Sequence, residues 1–296
     1  MSVLAGRVPT SLVEVADERL ARHGVRLLLK RDDLAHPDLP GNKFRKLGPN
    51  LAAAEAAGHR TLLTFGGAYS NHLRATAAAG RLLGLRTVGV VRGDELAHRP
   101  LNASLAGAAA DGMVLHFLDR AAYRRKTAPD VLDPLLERYG PAHVIPEGGS
   151  NPAAVRGCTA LGREIGTAAD VVAVACGTGG TLAGLAAGLP PPVRAIGVAA
   201  LRGGFLTEEV LRLQHDAFGE RRGDWQVEDR CHAGGFARTT PELAAFTDDF
   251  ARRHREALDG RPVERVYVAK ALHAVFRLAG EGAFPPGTRV AAVITG

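Results

Sequence analysis

The sequence predicts an α/β protein with mainly parallel sheets flanked by helices. Three observations carry that prediction. Segments of strand character alternate with segments of helix character along all 296 residues. Several strand segments are short continuous apolar runs, such as Val171-Val172-Ala173-Val174-Ala175, the pattern of parallel strands covered on both faces. Glycine-rich turns join such runs to helices, and open α/β sheets gather ligands at these turns.

Taken in order, strands are predicted at 25–30, 61–66, 86–92, 113–118, 143–146, 170–176, 194–199, 264–268 and 288–294. Helices are predicted at 43–57, 71–83, 102–110, 120–138, 152–165, 180–188, 206–218, 240–258 and 270–279. The first strand runs into the charged turn Arg31-Asp32-Asp33. Pro40-Gly41 is turn chemistry and Asn42 a helix N-cap, so Lys43 is expected in the first turn of a helix. The second strand leads through Gly66-Gly67-Ala68-Tyr69-Ser70-Asn71-His72 into a helix that Ser70 or Asn71 can cap. Its free amides could also hold a carboxylate. Pro146-Glu147-Gly148-Gly149-Ser150-Asn151-Pro152 reads as a junction, with Asn151 capping and Pro152 in the first turn. Glu147 could line a cleft there.

Composition narrows the function. The net charge of +6 favours anionic small molecules, but the arginines are scattered without aromatic interleaving, so no nucleic-acid partner is expected. No apolar run is long enough to span a membrane, and no basic start precedes an apolar run, so neither a membrane nor a signal peptide is expected. The three cysteines (158, 176, 231) fall in no paired spacing, as in a reducing, cytoplasmic compartment. Cys231-His232 lacks metal-site spacing, and no His-x-x-x-His or Cys-x-x-Cys occurs, so no metal is expected.

Two motifs point to chemistry. Only five of the 37 basic residues are lysines (30, 43, 46, 126, 270). Lys43 stands at a predicted helix start, where the positive helix end eases loss of its proton. A neutral lysine amine attacks aldehydes to form Schiff bases; a solvated lysine at a loop edge is the plain alternative. The second motif is Cys176-Gly177-Thr178-Gly179-Gly180-Thr181, an apolar strand entering a Gly/Thr loop and a small-residue helix. Bare amides, hydroxyls and a helix N-terminus make a phosphate cup, although tight packing alone would also explain such a loop. It is not a P-loop, since no Gly-Lys-Ser/Thr follows. It is also a poor dinucleotide fingerprint, since Leu182 falls where the third glycine would be. An aldehyde-capturing lysine plus a cup for one phosphate points to pyridoxal 5'-phosphate.

The chain resembles the family of 1-aminocyclopropane-1-carboxylate deaminase and D-cysteine desulfhydrase. The resemblance rests on Lys30-Arg31-Asp32-Asp33-Leu34, Gly41-Asn42-Lys43-Phe44-Arg45-Lys46-Leu47, Gly66-Gly67-Ala68-Tyr69-Ser70-Asn71-His72, the 177–181 cup, Gly234-Gly235-Phe236-Ala237, Tyr267-x-x-Lys270 and Thr295-Gly296, in order. It implies the tryptophan-synthase-β type of fold (fold type II). A larger domain of 1–45 plus 151–296 would carry an inserted smaller domain of 46–150, and the protein would be a homodimer. It further implies that Lys43 bonds the cofactor's aldehyde carbon and Asn71 its ring oxygen, while Gly177, Thr178, Gly179, Gly180 and Thr181 hold its phosphate. Ser70, with the amides around Asn71 and His72, would receive the carboxylate of a small amino-acid substrate. Ser70 could also move a proton, and Tyr267 would face the substrate from the end of a predicted strand.

Two departures stand out. The deaminase has an acidic residue after the tyrosine matched by Tyr267, contacting the pyridine nitrogen; here it is Val268. The family's His-Thr-Gly-Gly is Ile294-Thr295-Gly296, leaving the Thr295 hydroxyl as a neutral partner for the cofactor. The expected reaction is therefore β-elimination from D-cysteine or a similar β-substituted amino acid, giving a 2-oxo acid and ammonia. The alternatives are the ring-opening deaminase, another β-replacement enzyme, and a non-catalytic relative of the same fold.

Overall fold

The computed structural model describes residues 4–39 and 41–295. The predicted turn residue Pro40 and the final Gly296 lie outside the described residues. In chain order the elements begin with β1 (Leu12–Val15), α1 (Glu18–Ala21), β2 (Arg26–Lys30) and α2 (Asn42–Ala56). There follow β3 (Thr61–Gly66), α3 (Asn71–Leu83), β4 (Arg86–Arg92), α4 (Ala103–Ala110) and β5 (Met113–Leu118). Next come α5 (Arg120–Arg124), α6 (Pro129–Tyr139), β6 (His143–Ile145), α7 (Pro152–Ile165) and β7 (Val171–Cys176). The series closes with α8 (Gly180–Gly188), β8 (Arg194–Ala199), α9 (Leu206–Phe218), β9 (Asp224–Glu228), α10 (Pro241–Arg253), α11 (Val268–Gly280) and β10 (Arg289–Val293).

The strands form two sheets. One has six strands in the order β1-β2-β10-β7-β8-β9, and the other four in the order β5-β4-β3-β6. Every pairing is parallel except that of β1 with β2. The apolar runs behave as their composition requires. Along β7, Val171, Ala173 and Ala175 pack into one cluster with α11, while Val172, Val174 and Cys176 pack into another with α7, α8 and α9. The period of two thus buries both faces of the strand. β3 does the same: Leu62 meets Leu47 and Leu51 of α2, and Leu63 and Phe65 meet Tyr123 and Leu135.

A buried ionic network holds α2 against the larger sheet. Arg45 donates to Asp32 (2.6 and 3.0 Å) and to Glu164 (2.8 Å), and Lys30 Nζ donates to Glu164 (2.8 Å) and to the Thr10 carbonyl (2.6 Å). One of the five lysines is therefore structural. All three cysteines are buried and free. Among the described residues no helix is long and apolar enough to cross a membrane.

Several expectations are corrected. The segment 264–268 is not a strand. Glu264 accepts hydrogen bonds from the amides of Val266, Tyr267 and Val268, bending the β-branched run into the start of α11, with Tyr267 as its N-cap. The helix expected over 120–138 is two helices, because Ala128 precedes Pro129 and is extended (ψ 144°). The helix expected over 240–258 ends at Arg253, and that over 270–279 starts at Val268. Asn42 is the first helical residue of α2; its N-cap is Gly41, at φ 60°. The strands β1 and β9 were not predicted.

Candidate active site

Three strand-to-helix connections and the start of α2 converge on one cleft. Its lining includes Lys43, Ser70, Asn71, His72, Gly177, Thr178, Gly179, Thr181, Tyr267 and Thr295, so most of the residues singled out from the sequence meet there. Gly180 lies just behind the wall: a Cβ on it would sit 2.6 Å from Ser150 Oγ and 3.0 Å from Lys46 Nζ.

Lys43 enters from the second position of α2. Its amine has no hydrogen-bond or ion-pair partner among the described residues. Burial, with the Lys46 charge adding to it, pushes this amine down to about 7. An amine about half neutral at pH 7 and largely neutral above it is a nucleophile and a base. The neutral fraction falls about tenfold per pH unit below that value. The rate at which the apoprotein captures pyridoxal 5'-phosphate should therefore climb with pH and level off above about 7. Stopped-flow absorbance checks this, and a rate still climbing near pH 9–10 would contradict it.

Opposite stands the loop between β7 and α8. Gly179, at φ 74°, turns the chain so that α8 begins at Gly180. No side chain caps α8; the Gly180 amide donates to the Thr178 carbonyl (2.9 Å), and the open amides of the first turn are those of Thr181 and Leu182. Around that open end, Thr181 Oγ1 accepts from Asn42 Nδ2 (2.8 Å), and Thr178 Oγ1 lies 2.6 Å from Ser150 Oγ. Lys46 Nζ donates to Ser150 Oγ (2.8 Å) and to the Gly148 carbonyl (3.1 Å), which leaves the third proton of an ammonium unspent. The sequence reading passed over Lys46. Its signal was there: a rare lysine one helical turn after Lys43.

The third wall is the N-terminus of α3. Ser70 caps it, accepting from the Leu73 amide at 3.3 Å. His72 is buried and its tautomer can be derived. Thr64 Oγ1 spends its proton on the Ile145 carbonyl (2.8 Å), so it must accept from His72 Nε2–H (2.8 Å). His72 Nδ1 is then a bare acceptor, with no partner among the described residues. Burial lowers the basicity of this imidazole and keeps it neutral. Tyr267 packs on the cup: a Cβ at Gly177 would come 3.1 Å from its ring, and Phe236 lies 6.2 Å away, ring to ring. Thr295 approaches the start of α2 so closely that a Cβ at Gly41 would overlap its carbonyl. Lys270, the other conspicuous lysine, is structural: its Nζ donates to the carbonyls of Ala200 (3.0 Å) and Gly235 (2.7 Å).

The cleft lining also contains Glu147, which the sequence offered as a cleft residue, and Arg92, Cys176 and Phe236, which it did not single out as site residues. Arg92 and Cys176 end strands β4 and β7, where a parallel sheet delivers side chains to its ligand. Glu147 is paired with Lys126 (3.1 Å).

Comparison with known proteins gives a consistent answer. The family model described as "Pyridoxal-phosphate dependent enzyme" matches residues 3–296. A D-cysteine desulfhydrase of Klebsiella pneumoniae is 31% identical over 279 residues, covering 86% of this chain and 81% of that protein. A nocardicin C-9' epimerase of Nocardia uniformis is 35% identical over 292 residues, covering 90% and 84%. Among solved structures, one titled as an "ACC deaminase homologue" superposes with a TM-score of 0.82 at 26% identity, covering 100% of this chain and 91% of that one.

Proposed function

The chain belongs to the family of pyridoxal-phosphate dependent enzymes, and on that premise we propose that it is a lyase acting on D-cysteine or a similar β-substituted amino acid. It would remove the β-substituent and release a 2-oxo acid and ammonia. The observation that carries this reading is Val268, a buried apolar residue directly after Tyr267. No acid stands there to support a harder reaction.

The residues present fit the cofactor. The open amide end of α8, with Gly177, Thr178, Gly179, Gly180 and Thr181, would hold its phosphate, and Lys46 would add positive charge. Asn71 would bond the ring oxygen, and Thr295 would offer the ring a neutral hydroxyl. When bound, the cofactor supplies an aldehyde for amines and a sink for electrons. Lys43 Nζ provides the amine and, when neutral, the base for the proton on the substrate α-carbon. The first amides of α3, from Asn71 and His72, hold the substrate carboxylate beside Ser70. Ser70 Oγ is placed to pass on a proton. Tyr267 and Phe236 wall the cleft and exclude water.

This reading includes a homodimer in the cytoplasm, with residues 46–150 as a smaller domain inserted between 1–45 and 151–296. The free, buried cysteines and the division of the strands between two sheets support it. Ring-opening deamination of 1-aminocyclopropane-1-carboxylate is the second reading, supported by the solved deaminase homologue. The test is a screen of small L- and D-amino acids with the purified holoprotein, assaying ammonia and 2-oxo acid together. Equal amounts of both from D-cysteine are expected. Silence across all β-substituted members would sink the lyase reading.

A further inference from the structure

We propose that the β-substituent of the substrate carries a second anionic group and that Arg92 recognises it. The proposal deepens the lyase reading and rests on it.

Among the described residues, four with charged side chains line the cleft: Lys43, Lys46, Arg92 and Glu147. Glu147 is committed to Lys126 at 3.1 Å. Lys43 and Lys46 are assigned to the cofactor. Arg92 is the remaining cation, and it makes no hydrogen bond or ion pair to a carboxylate among the described residues. Its guanidinium is 5.8 Å from the Tyr123 ring, and its Nη2 would be 3.5 Å from a Cβ on Gly67. The Phe236 ring approaches that same Gly67 position at 3.7 Å. The guanidinium therefore stands beside the turn that leads to Ser70, on the side of the cleft shared with Phe236.

A substrate held by its amine at Lys43 and by its carboxylate at α3 has one group left to place. The side chains left for it include Arg92, Leu201, Phe236 and Tyr267, of which only Arg92 is charged. A planar guanidinium with free donors suits an oxyanion, through two parallel hydrogen bonds. The unbalanced positive charge also draws anionic substrates into the cleft. A neutral β-substituent would leave the guanidinium unused.

The test compares anionic β-substituted amino acids (O-phosphoserine, S-sulfocysteine, S-carboxymethylcysteine) with neutral ones (β-chloroalanine, O-acetylserine), both enantiomers of each, on wild-type, Arg92→Gln and Arg92→Lys holoprotein. Wild type should favour at least one anionic class in kcat/KM, and the three headgroups separate phosphate, sulfonate and carboxylate. Arg92→Gln should cut that preference roughly 10–100-fold, through KM, and Arg92→Lys should keep part of it. An equal loss on both sets would put Arg92 on the α-carboxylate, and no change would leave it in solvent; either overturns the proposal. Should neither set release any 2-oxo acid, the lyase reading fails by itself. Recognition is then read from spectral titration of the holoprotein, where anionic members must still bind wild type more tightly than Arg92→Gln, and equal affinities overturn the proposal.

Discussion

Replacing Lys43 by Ala should lower kcat/KM by roughly 10³–10⁴-fold or more, because one side chain supplies both the amine for the cofactor and the base for the α-proton. The structure gives Lys43 no other duty. Lys43 is half-buried, its amine has no partner among the described residues, and desolvation pushes it down to about 7. Removing it costs the fold no hydrogen bond, so the Tm of the Lys43→Ala apoprotein should match or exceed that of wild type. Lys43→Arg should be equally inactive, since a guanidinium does not lose its proton in a protein. The decisive measurement is borohydride reduction of the holoprotein followed by peptide mapping. The cofactor's mass should appear on the peptide containing Lys43. Label on Lys46 or Lys270 would overturn the assignment. Their own contacts argue against it, because both amines donate to oxygens fixed by the fold.

Much of this site was legible in the sequence, because its parts sit where strong local signals meet. Lys43, the turn ending in Ser70-Asn71-His72 and the 177–181 cup each follow an apolar strand and open a helix. Periodicity and glycine placement locate such points without knowledge of tertiary contacts. The misses have the opposite character. β9 reads Asp-Trp-Gln-Val-Glu, polar at alternate positions, and is a strand because it pairs with the edge of β8 and buries Trp225. The segment ending in Tyr267 carries the β-branched composition of a strand, yet three amides converging on the Glu264 carboxylate make it a helix start. Tyr267 reaches the cleft all the same, from a helix cap instead of a strand end. Arg92 joins the site only because the smaller sheet brings the end of β4 to the cleft, which no local pattern announces.

On one preparation of holoprotein, kcat/KM for D-cysteine should exceed that for 1-aminocyclopropane-1-carboxylate by roughly 10²–10³-fold, the worth of one well-placed electrostatic group. The cyclopropane substrate has no α-proton for Lys43 to take and no good leaving group, so opening its ring demands more from the surrounding charges. A carboxylate facing the pyridine nitrogen would meet that demand, because an opposite charge keeps the nitrogen protonated. The family resemblance puts Val268 at that position, and Val268 is 1% exposed in the first turn of α11 and packs into the core, where it carries no charge. The acid four residues earlier cannot substitute for it. Glu264 spends its carboxylate on the amides of Val266, Tyr267 and Val268, at 2.8, 2.7 and 3.1 Å, and does not line the cleft. Glu147 does line it, but is neutralised by Lys126. What remains is the hydroxyl of Thr295, a neutral partner. β-Elimination tolerates this setting, since the departing sulfide carries the electrons away. Faster turnover of the cyclopropane substrate would show that a neutral partner suffices for ring opening, and the deaminase reading would then replace the lyase.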